Sequence, residues 1–201
     1  LLSCGIAEVL FFILSIIFDL PMPLVAIQLL WLNIVTDGLQ DLALSFEKCE
    51  KGIMREKPRN PKENIFNKEL FGELLISGLS IGIIIFIVWV YLLNKGVSAT
   101  TARGYILMLM VFMQNMHVLN CRSEKKSAFT ISLKTNPFVA FSIFSAIMLQ
   151  IIVSEIPALS TLLQTTSIPI TNMLILFVIS TIIILIMEIY KYIIKKFKKE
   201  Q

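Results

Sequence analysis

Residues 24–46 form an apolar stretch that carries Asn33, Asp37 and Asp41 one helical turn apart, with Thr36 beside them. An acid at the centre of a membrane helix costs on the order of 2.5–3.5 kcal/mol on the insertion scale. Such a stripe is a poor lipid-facing surface and has to look into a helix bundle. An amide and two carboxylates at i,i+4 spacing are hard oxygen ligands for a cation. Gly38 directly follows Asp37, and a helix that unwinds there turns backbone carbonyls toward the same ion. The competing reading is a polar seam between packed helices, but two carboxylates exceed what packing needs.

Composition bears this out. Hydrophobic residues make up 56% of the 201 positions and charged ones 16%, with a mean hydropathy of +0.81. A soluble domain carries more charge and fewer long apolar runs. The chain reads as an integral, multi-pass membrane protein. The basic residues flank apolar spans and are not interleaved with aromatics, so nucleic acid is not an expected partner. Cys4, Cys49 and Cys121 are widely spaced without a CxxC pair, and a disulfide framework is not expected. Cys4, one turn before Glu8, reads as a small buried residue or, less simply, a soft-metal ligand. The chain opens at Leu1 within an apolar run and lacks the basic start of a signal peptide, so it reads as a piece of a longer protein.

A membrane span needs about 20 apolar residues, and six such stretches are present. They cover about residues 1–18, 24–46, 70–93, 102–119, 137–153 and 171–190. The fold class is therefore all-α, a polytopic bundle of six spans paired as three hairpins. Residues 1–46 form the first hairpin, 70–121 the second and 137–190 the third. Residues 47–69 and 122–136 are loops, and 191–201 a basic tail. Asn136-Pro137 supplies an N-cap and first helical position for the fifth span. Sixteen of the eighteen Lys and Arg residues fall in those two loops and the tail, leaving Lys95 and Arg103 for the opposite face. The positive-inside rule then puts both loops and both termini in the cytoplasm, and lipid is the surrounding partner.

Glu8, on the first span, is the third carboxylate available to the stripe across the hairpin; an interfacial position at a frayed terminus is its other reading. In the fourth span Gln114, Asn115, His117 and Asn120 make a polar patch, with Gln114 and His117 sharing a face. Gln114 offers a neutral oxygen to a cation, whereas a lone membrane His reads as hydrogen-bonded packing. Glu73 and Glu188 lie near span ends, facing headgroups or cytoplasm. GxSxG, HExxH and phosphate-binding glycine loops are all absent from the sequence. The polar chemistry is cation chemistry.

Four segments then carry a resemblance. They are Gly5-Ile6-Ala7-Glu8-Val9; Gln28-Leu29-Leu30-Trp31-Leu32-Asn33-Ile34-Val35-Thr36-Asp37-Gly38-Leu39; Gly52-Ile53-Met54-Arg55-Glu56-Lys57-Pro58-Arg59-Asn60-Pro61-Lys62; and residues 114–124. In this order they resemble helices five to ten of a P-type cation-transporting ATPase of the calcium-pump group. The third resembles the cytoplasmic loop that contacts the phosphorylation domain in that family.

The resemblance implies that Glu8, Asn33, Thr36 and Asp37 are cation ligands, Asp37 being shared where two sites exist. Gln114 stands where two-site calcium pumps have a glutamate and Gly5 where they have an asparagine, so one well-formed site is expected. Asp41 replaces a small apolar residue of the family pattern, and the metal-site set is Glu8, Asn33, Thr36, Asp37, Asp41 and Gln114. The resemblance further implies Ca2+ as the favoured transported cation, with Mn2+, Mg2+ or a monovalent ion as alternatives, and residence in the plasma (inner) membrane. Hard oxygen ligands exclude a soft-metal pump. The family's Asp-Lys-Thr-Gly phosphorylation sequence is absent from the chain. Mg2+ and ATP would belong to cytoplasmic domains of a missing N-terminal half: actuator, phosphorylation and nucleotide domains plus helices one to four. That half is the implied partner, and without it the fragment is not catalytically competent. In the parent, phosphorylation would switch the bundle between inward- and outward-open states, with protons replacing the ion on emptied carboxylates. A passive cation channel, a secondary transporter or a structural membrane anchor would use the same polar residues without an upstream phosphorylation domain.

Overall fold

The computed structural model describes residues 2–49, 68–123 and 126–197, and among these every regular element is helical. Helix α1 (Leu2–Ile17) ends in a short turn in which Asp19 takes a φ of 50°. Asx side chains tolerate that left-handed conformation. Arg103 ties the turn down, its Nε donating to the Met22 carbonyl at 2.9 Å. The next stretch is in three pieces: α2 (Ala26–Leu32), a π-helical segment (Asn33–Gly38) and α3 (Leu39–Leu44). Then follow α4 (Lys68–Asn94) and α5 (Ala99–Cys121), capped by the Ser98 hydroxyl. Two 3₁₀ turns (Ala128–Thr130 and Leu133–Thr135) lead to α6 (Pro137–Glu155), α7 (Pro157–Leu162), α8 (Ile170–Ser180) and α9 (Ile182–Phe197). As the sequence predicts, Asn136 caps α6 and Pro137 is its first helical residue.

Helix α5 is the axis of the bundle. It packs against α2, α3, α4, α6, α8, α9 and the π-helical segment, and Ile106 through Leu109 are wholly buried. Apart from Arg103 near its start, α5 is apolar or uncharged all round, and such a helix belongs in that position. The outer helices expose large apolar side chains instead: Ile83 and Ile87 on α4, Phe141 and Phe144 on α6, Leu174 and Val178 on α8. With lipid as solvent, an apolar exterior carries no hydration penalty.

Among the described residues, four stretches are long and apolar enough to cross a membrane: Leu70–Asn94, Ala99–Cys121, Pro137–Glu155 and Ile170–Phe197. The last combines α8 and α9, which meet at Thr181. There the hydroxyls of Ser180 and Thr181 bond back to Phe177 and Val178 carbonyls, a pairing that loosens helices. Of the first two expected spans, α1 is an apolar helix of 16 residues, and the second is the broken α2–π–α3 run. Helix α9 continues past the expected end near Tyr190 because Lys191 is buried. Its Nζ donates to the carbonyls of Asn120 and Ser123 at 2.7 and 2.6 Å, closing the end of α5. The Gly52-to-Lys62 segment, most of loop 47–69 and the last tail lysines, Lys198 and Lys199, lie outside the described residues.

Helix α1 docks on α4 through Ser3, Ala7, Phe11 and Ser15, which recur every fourth residue on one buried face. Opposite them α4 presents Gly78 and Gly82, and small residues let membrane helices approach closely. A Cβ at Gly78 would stand 2.7 Å from Ile6 Cβ and 2.9 Å from the Ser3 carbonyl oxygen. Above this contact Phe11 meets Trp89 edge to face, 6.1 Å between ring centroids. Gly78→Ala is therefore expected to push α1 off α4 and destabilise the bundle by about 1–3 kcal/mol, the usual range for overpacking. Thermal unfolding in detergent would read the loss as a lowered midpoint.

Candidate cation site

The break in the second membrane stretch starts from its sequence. Ile34, Val35 and Thr36 are β-branched and restrict χ1 in a helix, and Gly38 follows two residues later. The Thr36 hydroxyl donates back to the Leu32 carbonyl at 2.6 Å, a bond that competes with the regular ladder. The outcome is a π-helical turn, a feature that recurs at functional sites. The sequence leads one to expect unwinding at Gly38; instead Gly38 keeps a right-handed helical φ of −61°. The helix widens rather than opening out. A Cβ at Gly38 would lie 3.3 Å from the Asn33 carbonyl oxygen, so the glycine leaves room for the wide turn.

One side of this stretch is bonded to the bundle along its whole length. Gln28 Nε2 donates to the Leu163 carbonyl at 2.9 Å, and Trp31 Nε1 to Gln150 Oε1 at 2.8 Å. Thr36 pairs with the Gln114 side-chain amide. Gln40 Nε2 donates to Asn115 Oδ1 at 2.7 Å, while Asn115 donates to the Val111 carbonyl. At the far end Asn136 Nδ2 donates to the Ala43 carbonyl at 2.9 Å. These five attachments set the rotation of the stretch about its own axis.

That rotation turns Asn33 and Asp37 toward α1. Together with Glu8 they line an open cleft of about 670 Å³ whose other walls include Gly5, Ile6 and Leu79. Asp37 is buried, with the Cys4 thiol near its carboxylate. Glu8 Oε1 is a buried oxygen without a hydrogen-bond partner among the described residues. Two carboxylates and one amide from two helices thus face the same space. Among the described residues no three His, Cys, Asp or Glu side chains gather as a metal-holding group; the third oxygen source at the cleft is the Asn33 amide.

The remaining candidates lie elsewhere. Thr36 and Gln114 are buried on the bundle side, bonded to each other and outside the cleft lining. The Thr36 hydroxyl lies between two acceptors, the Leu32 carbonyl and Gln114 Oε1, while Gln114 Nε2 is buried without a hydrogen-bond partner among the described residues. Asp41 is exposed, one turn past Asp37 on α3. Sequence reasoning did not single out the Gln40–Asn115 pair or the contact of Cys4 with Asp37. Gln40 carried a signal, an amide at i+4 from Thr36 within apolar sequence. Cys4 carried none beyond its spacing from Glu8.

A family model described as "Cation transporting ATPase, C-terminus" matches residues 21–193. The chain belongs to this family. The matched span holds Asn33, Thr36, Asp37, Asp41 and Gln114 and begins after Glu8. The chain is 32% identical, over 84% of its length, to a calcium-transporting ATPase of Bacillus subtilis (strain 168), covering 19% of that protein. It is 30% identical over 100% of its length to the human calcium-transporting ATPase type 2C member 1, covering 22% of it. Human type 2C member 2 is 29% identical over 94% of the chain, which covers 20% of that relative. The chain thus spans about a fifth of the length of these relatives. Family and apolar helices together make it an integral, multi-pass membrane protein.

The Gln40–Asn115 attachment is testable in isolation. Gln40→Leu leaves the buried Asn115 oxygen without its donor and is expected to destabilise by about 1–3 kcal/mol. Adding Asn115→Leu should recover part of that loss, since both partners are then apolar. A double-mutant cycle on thermal unfolding in detergent measures the coupling, and strict additivity of the two losses would contradict it.

Proposed function

We propose that this chain is the C-terminal transmembrane portion of a P-type ATPase that pumps a cation, Ca2+ by preference, and that it supplies the ion's carboxylate ligands. The observation that carries the reading is the meeting of Glu8, Asn33 and Asp37 at one cleft beside a π-helical break. Family membership supports it, and the choice of Ca2+ follows the names of the relatives. Asp37 and Glu8 supply charge, Asn33 a neutral oxygen, and Thr36 with Gln114 an oxygen-bearing pair directly behind the ligand face. Asp41, exposed a turn further on, acts on the entry path. Six spans with both termini in the cytoplasm, in the plasma membrane, suit the distribution of Lys and Arg. ATP hydrolysis with Mg2+ falls to domains of the parent outside this sequence, and protons replace the ion on its emptied carboxylates.

In the full-length parent, Asp37→Asn is expected to abolish cation-dependent phosphorylation from ATP. It removes the strongest Coulomb attraction in a low-dielectric site and leaves the ion under-neutralised. Asp41→Ala should change only apparent affinity or ion preference, because water screens an exposed carboxylate. Phosphoenzyme formation titrated with Ca2+ and with Mn2+ separates the two. Wild-type affinity in Asp37→Asn, or a dead Asp41→Ala, would overturn the assignment, and transport without any phosphoenzyme would point to a passive pathway.

A further inference from the structure

We propose that Arg122 is a positioning residue for the cation site, holding the π-helical break in register through Glu47; this rests on the reading of Glu8, Asn33 and Asp37 as ion ligands. Glu47 lies three residues beyond the end of α3. The Arg122 guanidinium grips its carboxylate with both arms, Nε to Oε2 at 2.9 Å and Nη2 to Oε1 at 2.8 Å. Asn136 Nδ2 donates to the same Oε2 at 3.0 Å and to the Ala43 carbonyl at 2.9 Å. Arg122 reaches further, to the Thr135 hydroxyl at 2.6 Å and the Ser132 carbonyl at 3.2 Å. Its side chain is 1% exposed and that of Glu47 19%. One cation thereby joins the exit of α3, the end of α5 and the turn into α6.

The geometry gives this clasp a consequence at a distance. A π-helical turn holds one residue more than regular helix between the same two points. That residue stays in place only while both ends of the stretch are fixed. Gln28 and Trp31 fix one end; Gln40, Ala43 and Glu47 fix the other. Without the Glu47 anchor that end rests on Gln40 and Ala43 alone, and the helix is freer to regain its regular ladder by absorbing the extra residue. One residue is about 100° of rotation at 3.6 residues per turn, enough to swing α3 and the Asp37 side of the break away from Glu8. The hydrogen bonds from Arg122, and then from Asn136, hold the Glu47 carboxyl below the usual carboxylate range, so the clasp stays ionised at neutral pH. A bidentate fork also resists rotation in a way that a single ammonium contact does not.

The test uses the full-length parent and titrates phosphoenzyme formation with Ca2+. Arg122→Ala is expected to raise the half-saturating Ca2+ concentration about tenfold while maximal phosphoenzyme per folded protein stays near wild type. A purely structural role would lower the yield of folded protein and leave the half-saturating concentration unmoved, and that result overturns the proposal. Arg122→Lys and Glu47→Gln, which keep a partial contact and guard against misfolding of the alanine variant, should shift affinity in the same direction by less. The double variant Arg122→Ala/Glu47→Gln should be no worse than Arg122→Ala, because both act through one contact. Additive shifts would mean that Arg122 acts elsewhere. Asp37→Asn run alongside separates the two levels. If it is inactive while every Arg122 variant binds like wild type, the clasp fails and the site stands; if it binds like wild type, the site itself fails.

Discussion

A helix that leaves its regular hydrogen-bond ladder inside a membrane must be held by its neighbours, because lipid offers nothing to bond to. The rest of this structure depends on meeting that condition. The wide turn at Asn33–Gly38 stands against α5 and α6 through Thr36, Gln40 and Ala43, whose partners are Gln114, Asn115 and Asn136. Each attachment gives a hydrogen-bond contact to a buried amide or hydroxyl that would be destabilising alone. Gln114 and Asn115 of the α5 polar patch are therefore the mating surface for the broken helix. Burial of α5 on every side follows, since its polar groups need protein around them.

The two sides of the broken helix have separate roles. The side bonded to the bundle determines orientation, and the side turned to α1 carries Asn33 and Asp37. Helix α1 makes its main contact with α4, where Gly78 and Gly82 admit it closely, and it stands across a cleft from the π-helical segment. Glu8 can thus face Asp37 without a packed apolar layer between them. A cation entering such a cleft meets charge from two separately anchored helices. A relative movement of those helices would change the distance between Glu8 and Asp37.

The clasp at Glu47 and Arg122 and the cap at Lys191 close the same end of the bundle. Lys191 from α9 takes the last carbonyls of α5, and Arg122, just beyond them, takes Glu47. Both are basic residues that the positive-inside pattern counts only as topology signals. Their burial gives them a second task, joining helix ends that the membrane alone would leave free. Long basic side chains suit it because their apolar stems pack while their heads find carbonyls or carboxylates.

Much of the fold was legible in sequence because it rests on local spacing. Apolar runs marked the helices, Asn136-Pro137 marked the start of α6, and the i,i+4 stripe of Asn33, Asp37 and Asp41 marked the helix with chemistry on it. The sequence also held the family's segments, so membership could be read from it before any coordinate. What it could not carry was rotation and register. Thr36 meets Gln114, Gln40 meets Asn115 and Glu47 meets Arg122 across roughly 75 residues of chain, and no local period encodes which of them pair. Spacing alone would leave Thr36 beside Asp37 as an equal ligand and Asp41 as the stripe's third member. Tertiary packing divides them, sending Thr36 to the bundle, Asp37 to the cleft and Asp41 to the exposed surface. Helical period is a property of neighbours in sequence; the direction a polar side chain faces is decided by the distant partner that can satisfy it.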